Sequence, residues 1–134
     1  MYTLVHDQST HCIFSFLSTL AKPLYTSVGC WRDTGNRAIA TLEGKDSRLV
    51  GPYQRRKDSI EKCYEAAKAK GYQYFAVQNG GWCASSANAE STYKKYGSSG
   101  ACRNGKGGGW ANDVYMIEGK KYFQEGLLLL MTWL

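Results

Sequence analysis

A chain of 134 residues with fifteen Gly, ten Tyr and four Trp, but few long aliphatic runs, has the length of one domain and the makings of only a modest apolar core. Its formal charge of +6 is dispersed: Arg55-Arg56-Lys57 and Lys94-Lys95 are short runs with acidic residues around them, a pattern of solvated faces that argues against nucleic acid as a partner. Both histidines, His6 and His11, precede the region that reads as folded, which excludes there a Ser-His or Cys-His nucleophile, a His-ligated zinc and imidazole acid-base chemistry.

Residues 1–24 carry the apolar run Ile13-Phe14-Ser15-Phe16-Leu17, with Thr19 and Ala21 spaced like a small-residue cleavage site. The stretch before that run holds Asp7 and no Lys or Arg, so the segment reads either as a degenerate signal peptide or as a disordered start. The domain is expected over 25–119. Val28 to Trp31 predicts a first short strand, and Arg37 to Leu42, alternating polar and apolar, a half-buried one. Glu43 to Pro52 is expected to be loop.

The clearest element follows. Asp58 is placed as an N-cap with Glu61 three positions on for a reciprocal capping box, and Ile60, Cys63, Tyr64 and Ala67 recur at helical spacing until Gly71 closes the helix. Tyr72 to Gln78 predicts the central strand, with Asn79-Gly80-Gly81 as the turn that delivers Trp82 and Cys83. Ser86 to Tyr96 shows a weaker helical pattern with Glu90 and Lys94 ordered as an i,i+4 pair. Gly97 to Gly109 is a glycine-rich loop, and Asp113 to Glu118 a closing strand. The architecture expected is α+β: one central helix packed on a short, mostly antiparallel sheet with long loops, stapled by disulfides. In the tail, 120–134, the run Leu127-Leu128-Leu129-Leu130 ends in Met131, Trp133 and Leu134, short of the roughly 20 apolar residues a membrane span needs. It reads as a frayed tail or a truncated boundary, with no membrane span.

Five cysteines occur, Cys12, Cys30, Cys63, Cys83 and Cys102, and none is in C-x-x-C spacing, which argues against a zinc or redox motif. The last four are the even set that an oxidising compartment favours in a small loop-rich domain; they allow three connectivities that residues alone leave open. Cys12 is the odd one.

Catalysis would have to come from a carboxylate pair drawn from Asp33, Glu61, Glu65, Glu90 and Asp113, a glycosidase-like arrangement that spacing neither supports nor refutes. Gly105 to Gly109 is not a phosphate loop, because Trp110 follows where Ser or Thr after Gly-Lys would be needed, and no acidic cluster has calcium-loop spacing. No cofactor is expected. The binding signal is aromatic: Trp82 and Trp110 each follow a glycine run and lie near amides or acids, a mixture suited to a pyranose, whose C–H face packs on indole while Gln78, Asn79, Asn112 and Asp113 bond its hydroxyls. Against this, a Trp beside a Cys often packs on the bridge, as expected for Trp31 and as weighed evenly for Trp82. Arg32, Asp33 and Arg37 read as a structural ion-pair or turn cluster, and Tyr93 and Tyr96 as either core or site.

From Tyr25 to Ile117 the chain resembles WSC-type domains, cysteine-rich extracellular modules of cell-wall stress sensors and secreted proteins. Gly29-Cys30-Trp31-Arg32-Asp33 is similar to the family's opening motif, Arg37 and Leu42 fall near its Arg-x-Leu, and Ser59-Ile60-Glu61-Lys62-Cys63 is similar to its helix-borne first cysteine. Gly71 to Gln78 followed by Gly81-Trp82-Cys83 resembles its strand and next cysteine, and Cys102 with Val114-Tyr115 its close. Where the family has a second helix cysteine this chain has Ala67, and Ala84-Ser85 follows Cys83 where the family has x-Cys-Gly, so this is a reduced, four-cysteine form. The resemblance implies carbohydrate binding outside the cell and brings no catalytic residues. The favoured staples are Cys63 with Cys83, joining helix to strand end, and Cys30 with Cys102, joining the ends of the domain. The expected function is that of a secreted, non-catalytic glycan-binding module, its ligand neutral or anionic, with Trp82, Trp110, Asn79, Asn112 and Asp113 as the site. A protein-protein adhesion module of the same fold comes second, and a carboxylate-dependent glycosidase third.

Overall fold

A computed structural model describes residues 23–119 of the chain. The expectations for a leader and for an apolar tail lie outside the described residues, as do Cys12, His6 and His11.

Four strands, β1 (Tyr25–Arg32), β2 (Tyr74–Gln78), β3 (Trp82–Ser85) and β4 (Ala111–Ile117), form one sheet in the order β1-β4-β2-β3. Every pairing is antiparallel. The main helix is α1 (Ser59–Ala69), and a single helical turn, α2 (Ala89–Thr92), follows β3. The α+β architecture with two disulfides is the one expected from the sequence.

Cross-strand partners share a face. Phe75, Val77, Cys83, Tyr115 and Tyr25 lie on the face that α1 covers with Cys63, Tyr64, Ala66 and Ala67. The rings of Phe75 and Tyr115 stack at 5.0 Å, with Tyr25 edge-on to both. The Cys63–Cys83 bond ties the helix to β3, and Cys30–Cys102 ties β1 to the glycine-rich loop before β4. The opposite face holds Tyr74, Ala76, Gln78, Trp82, Ala84, Asn112 and Val114, and among the described residues no long helix covers it. Ile39, α2 and Tyr93 pack there instead.

The β3 edge and the C-terminal end of the β1 edge are closed by irregular chain. Ser99 N–H donates to Cys30 O and Arg32 N–H to Gly97 O along β1, while Leu42 N–H donates to Cys83 O and Ser85 N–H to Ala40 O along β3. These bonds occupy the backbone groups that an exposed edge would offer to another chain.

Three local expectations are corrected. The strand foreseen over Arg37 to Leu42 is a single bridge, Thr41 to Ala84. Ala38 and Ile39 are buried consecutively, and the Ala38 N–H donates to the Asp33 carboxylate at 2.9 Å, so the segment is drawn across the sheet face rather than pleated along it. Asp58 stands at the N-cap with φ 51, and its side chain makes no cap bond. Side-chain capping requires an extended N-cap residue, and the left-handed backbone here lacks that geometry. Glu61 therefore accepts from the Tyr25 hydroxyl at 3.3 Å instead of closing a box. The helix foreseen over Ser86 to Tyr96 shrinks to α2, because Ser91 and Thr92 hydroxyls both donate to Asn88 O, competing with the helical ladder. Glu90 and Lys94 do not pair among the described ion pairs; the Lys94 ammonium lies 5.3 Å from the Trp31 ring centre.

The end of α1 and the following hairpin follow the expected turn chemistry. Gly71, at φ 74, lets Tyr72 N–H reach back to Ala67 O and its own N–H to Lys68 O, a Schellman closure. Asn79 and Gly80 are both left-handed, and Gly81 N–H donates to Gln78 O, the primed-turn geometry that sets the Gln78–Trp82 register.

Candidate functional site

The open face of the sheet ends in a polar and aromatic cluster built by strand register. Gln78 on β2 is opposite Trp82 on β3 and Asn112 on β4, so the three side chains share one face at one end of the sheet. Gln78 Nε2 donates to Asn112 Oδ1 and to Asp33 Oδ2, both at 2.8 Å, and Gln78 Oε1 accepts from Arg37 at 3.2 Å. Arg37 also pairs with Asp33 at 2.9 Å. Thus the Asp33–Arg37 cluster read from the sequence extends into the sheet through Gln78.

Arg37 connects Trp82 and Trp110. Its guanidinium carbon lies 4.2 Å from the Trp82 ring centre and 4.9 Å from that of Trp110, within the range of cation–π attraction. Trp82 is buried, whereas Trp110 is 56 % exposed. The backbone that presents Trp110 is unusual: φ is 53, the left-handed region, where a bulky non-glycine residue is strained by on the order of 1–2 kcal/mol. Asp33 N–H holds it there by donating to Trp110 O at 2.9 Å. The loop before it is equally constrained. A Cβ on Gly107 would lie 2.4 Å from Val77 O and 2.5 Å from Ala111 O, so only glycine fits.

Burial acts to raise the Asp33 pKa, but hydrogen bonds from the Ala38 N–H, Arg37, Gln78 and the Thr34 N–H outweigh it, and the carboxyl is held below its ordinary value. Asp33 is therefore an ionised anchor for Arg37 with its donors already supplied. Beside Trp110 a shallow pocket of about 460 Å³ is lined by Arg32, Asp33, Thr34, Tyr96, Ser99, Gly109 and Trp110.

The five residues expected to form the site are distributed as follows. Trp82, Trp110 and Asn112 belong to one network through Arg37 and Gln78. Asn112 is fully buried, however, and its Nδ2 has no partner among the described residues; its Oδ1 accepts from Gln78 and supports it from below. Asn79 is exposed at the hairpin tip, and its amide donates to the Tyr53 hydroxyl at 3.4 Å. Asp113 lies on the opposite face, beside Val77, and accepts from the Gly107 N–H at 2.8 Å, fixing the loop that leads to Trp110. The sequence reading did not place Arg32 or Tyr96 beside Trp110, nor Arg37 over the indoles. The available signal was the Asp33–Arg37 spacing; the long-range pairing that brings β4 next to β1 has no local trace. Trp31 is packed: it lies edge-on to Tyr93 at 5.4 Å and donates from Nε1 to Val28 O.

Among the described residues, no group of three or more His, Cys, Asp and Glu could hold a metal ion, and no helix is long and apolar enough to cross a membrane. The fold places the chain in the class of small disulfide-bonded α+β modules. The WSC domain family model matches residues 27–108, more than half of the chain, and the protein belongs to the WSC domain family. The family suggests an extracellular module of carbohydrate-binding or sensor type; its domains are generally non-catalytic, and with their disulfides are typical of secreted or cell-surface proteins. No curated protein matches the chain.

Proposed function

We propose that this domain is an extracellular carbohydrate-binding module without catalytic activity, and that its ligand stacks on Trp110. The observation that carries this reading is the exposed indole held in left-handed backbone above Arg37. A strained residue kept in place by its surroundings marks a position selected for something other than stability. An indole with one face backed by a guanidinium and the other open suits the C–H face of a pyranose, with the Arg37 edge as a polar neighbour for hydroxyls. In this reading Trp82 and Asn112 position Arg37, Asp113 positions the loop, and Asn79 stands apart at the hairpin tip against Tyr53, so the ligand itself meets Trp110 and Arg37.

A glycan array probed with the native chain and with Trp110→Ala tests the proposal. Binding to a glycan class that falls at least tenfold in the variant is the expected result. Binding that survives the substitution removes this site, and silence across neutral and sulfated glycans favours the adhesion function instead.

A further inference from the structure

We infer that the pocket between Arg32 and Trp110 receives the carboxylate or sulfate of an acidic sugar unit, which makes the ligand an anionic glycan; this rests on the carbohydrate-binding reading above and specifies its substrate class. Arg32 and Trp110 line the same pocket, together with Tyr96 and Ser99. The Arg32 side chain is exposed, and among the described residues only its Nε finds a partner, donating to Ser98 O at 3.0 Å. That single bond orients the guanidinium while leaving its two terminal amino groups for a planar or tetrahedral oxyanion, the recognition for which Arg is best suited.

The local charge favours the same ligand. Asp33 is the sole carboxylate among the lining residues; its side chain is fully buried and already bonded to Arg37, Gln78 and Ala38. Against it stand Arg32, Arg37, and Lys95, whose ammonium lies 4.9 Å from the Tyr96 ring centre. With Asp33 neutralised by its pair with Arg37, Arg32 and Lys95 remain as surplus cations and give the pocket a positive field that draws an anionic sugar toward the indole. A neutral sugar would stack on Trp110 but leave Arg32 unused.

Titration calorimetry on the full chain at about 0.15 M salt, where exposed charges are screened beyond roughly 8 Å, tests this with three hexasaccharide probes: cellohexaose, hexagalacturonate and a heparin-derived hexasaccharide. At least one acidic probe is expected to bind about tenfold more tightly than cellohexaose. Arg32→Gln should abolish that margin and spare neutral binding, Trp110→Ala should weaken all probes, and Lys68→Gln, on α1 over the Tyr64 ring, should change neither. Which acidic probe wins tells carboxylate from sulfate. Equal binding of neutral and acidic probes overturns the anionic inference and leaves the carbohydrate reading standing. An acidic preference that persists in Arg32→Gln, or that falls equally in Lys68→Gln, overturns the pocket in favour of diffuse charge attraction. No binding by any probe overturns both readings.

Discussion

The two faces of the sheet are stabilised by different physics. On the helix face, α1 buries Cys63, Tyr64, Ala66 and Ala67 against Phe75, Val77 and Tyr115, and the Cys63–Cys83 bond locks the contact. On the open face, Ala76, Ala84 and Val114 give way at one end to Gln78, Asn112 and Asp33, a buried polar network topped by two indoles and a guanidinium. The first arrangement tolerates change through redundancy of apolar contact. The second depends on each donor and acceptor being matched, because an unmatched buried polar group costs about 1–3 kcal/mol. The contrast is one of division of labour: helix packing and the disulfide lock one face, while the other holds a strained indole and buried polar groups.

The largest effects should come from removing the staples. The Cys30–Cys102 bond closes a span of 72 residues and the Cys63–Cys83 bond one of 20. In the chain-entropy model these correspond to about 4 and about 3 kcal/mol. Cys30→Ala/Cys102→Ala should therefore lower the urea midpoint more than Cys63→Ala/Cys83→Ala. The reverse order would mean that the helix face is held chiefly by native-state contacts that the sulfur bridge completes.

Next comes Asp33, the anchor of the open face. Asp33→Ala leaves the Ala38 N–H, Arg37 and Gln78 without their acceptor and should cost about 2–3 kcal/mol in denaturant unfolding. It should also release Arg37 from the indoles and weaken ligand binding. The pH dependence has a definite sign. The folded-state pKa of Asp33 lies below its ordinary 3.8, so its stabilisation is present above about pH 4 and is lost as pH falls through the folded value. The urea midpoint of the native chain should fall between pH 4 and pH 2 more steeply than that of Asp33→Asn. Equal acid slopes would detach Asp33 from the stability of this face.

The helix face has its own titration, at the opposite end of the scale. Burial, with Asp113 and Tyr25 nearby, pushes the Tyr115 phenol up to about 12 from 10.0, and its hydroxyl donates to Gly105 O at 2.5 Å. A raised folded pKa means that stabilisation is complete below pH 10 and is lost as pH rises toward 12. Tyr115→Phe should flatten that alkaline decline in the urea midpoint, at the cost of one hydrogen bond, about 1 kcal/mol at neutral pH.

The helix face was also the more legible in the sequence. Ile60, Cys63, Tyr64 and Ala67 at helical spacing, Gly71 at the helix end and the Asn79-Gly80-Gly81 turn are local signals, and each corresponds to an element or turn in the structure. The open face is built from residues that only the fold brings together. Arg37 to Leu42 alternates like a strand, yet the Asp33 carboxylate captures the Ala38 N–H and redirects the chain; no local pattern records that competition. Asn112 and Asp113 are adjacent and chemically similar, but the pleat sends one under the indoles and the other beneath the glycine loop, a distinction set by register with β2. Trp110 was visible as a binding candidate because it follows a glycine run and lies near an amide and an acid, whereas its partner Arg37 was visible only as part of a local ion-pair cluster.

The smallest stability effect is the most informative for the comparison. Trp110→Gly removes the exposed indole and, at φ 53, relieves the backbone strain, while glycine's greater freedom in the unfolded chain offsets part of that relief. The net change in unfolding free energy should stay within about 1 kcal/mol of the native chain. Trp110→Ala keeps most of the strain and should be the less stable of the two variants, while both lose the stacking surface. Urea unfolding of the pair, set beside their glycan affinities, separates the two roles of this position. A glycine variant that is as stable as the native chain but does not bind identifies Trp110 as a residue held at the surface for its ring, whereas a glycine variant destabilised by 3 kcal/mol or more would make the indole a packing element of the open face.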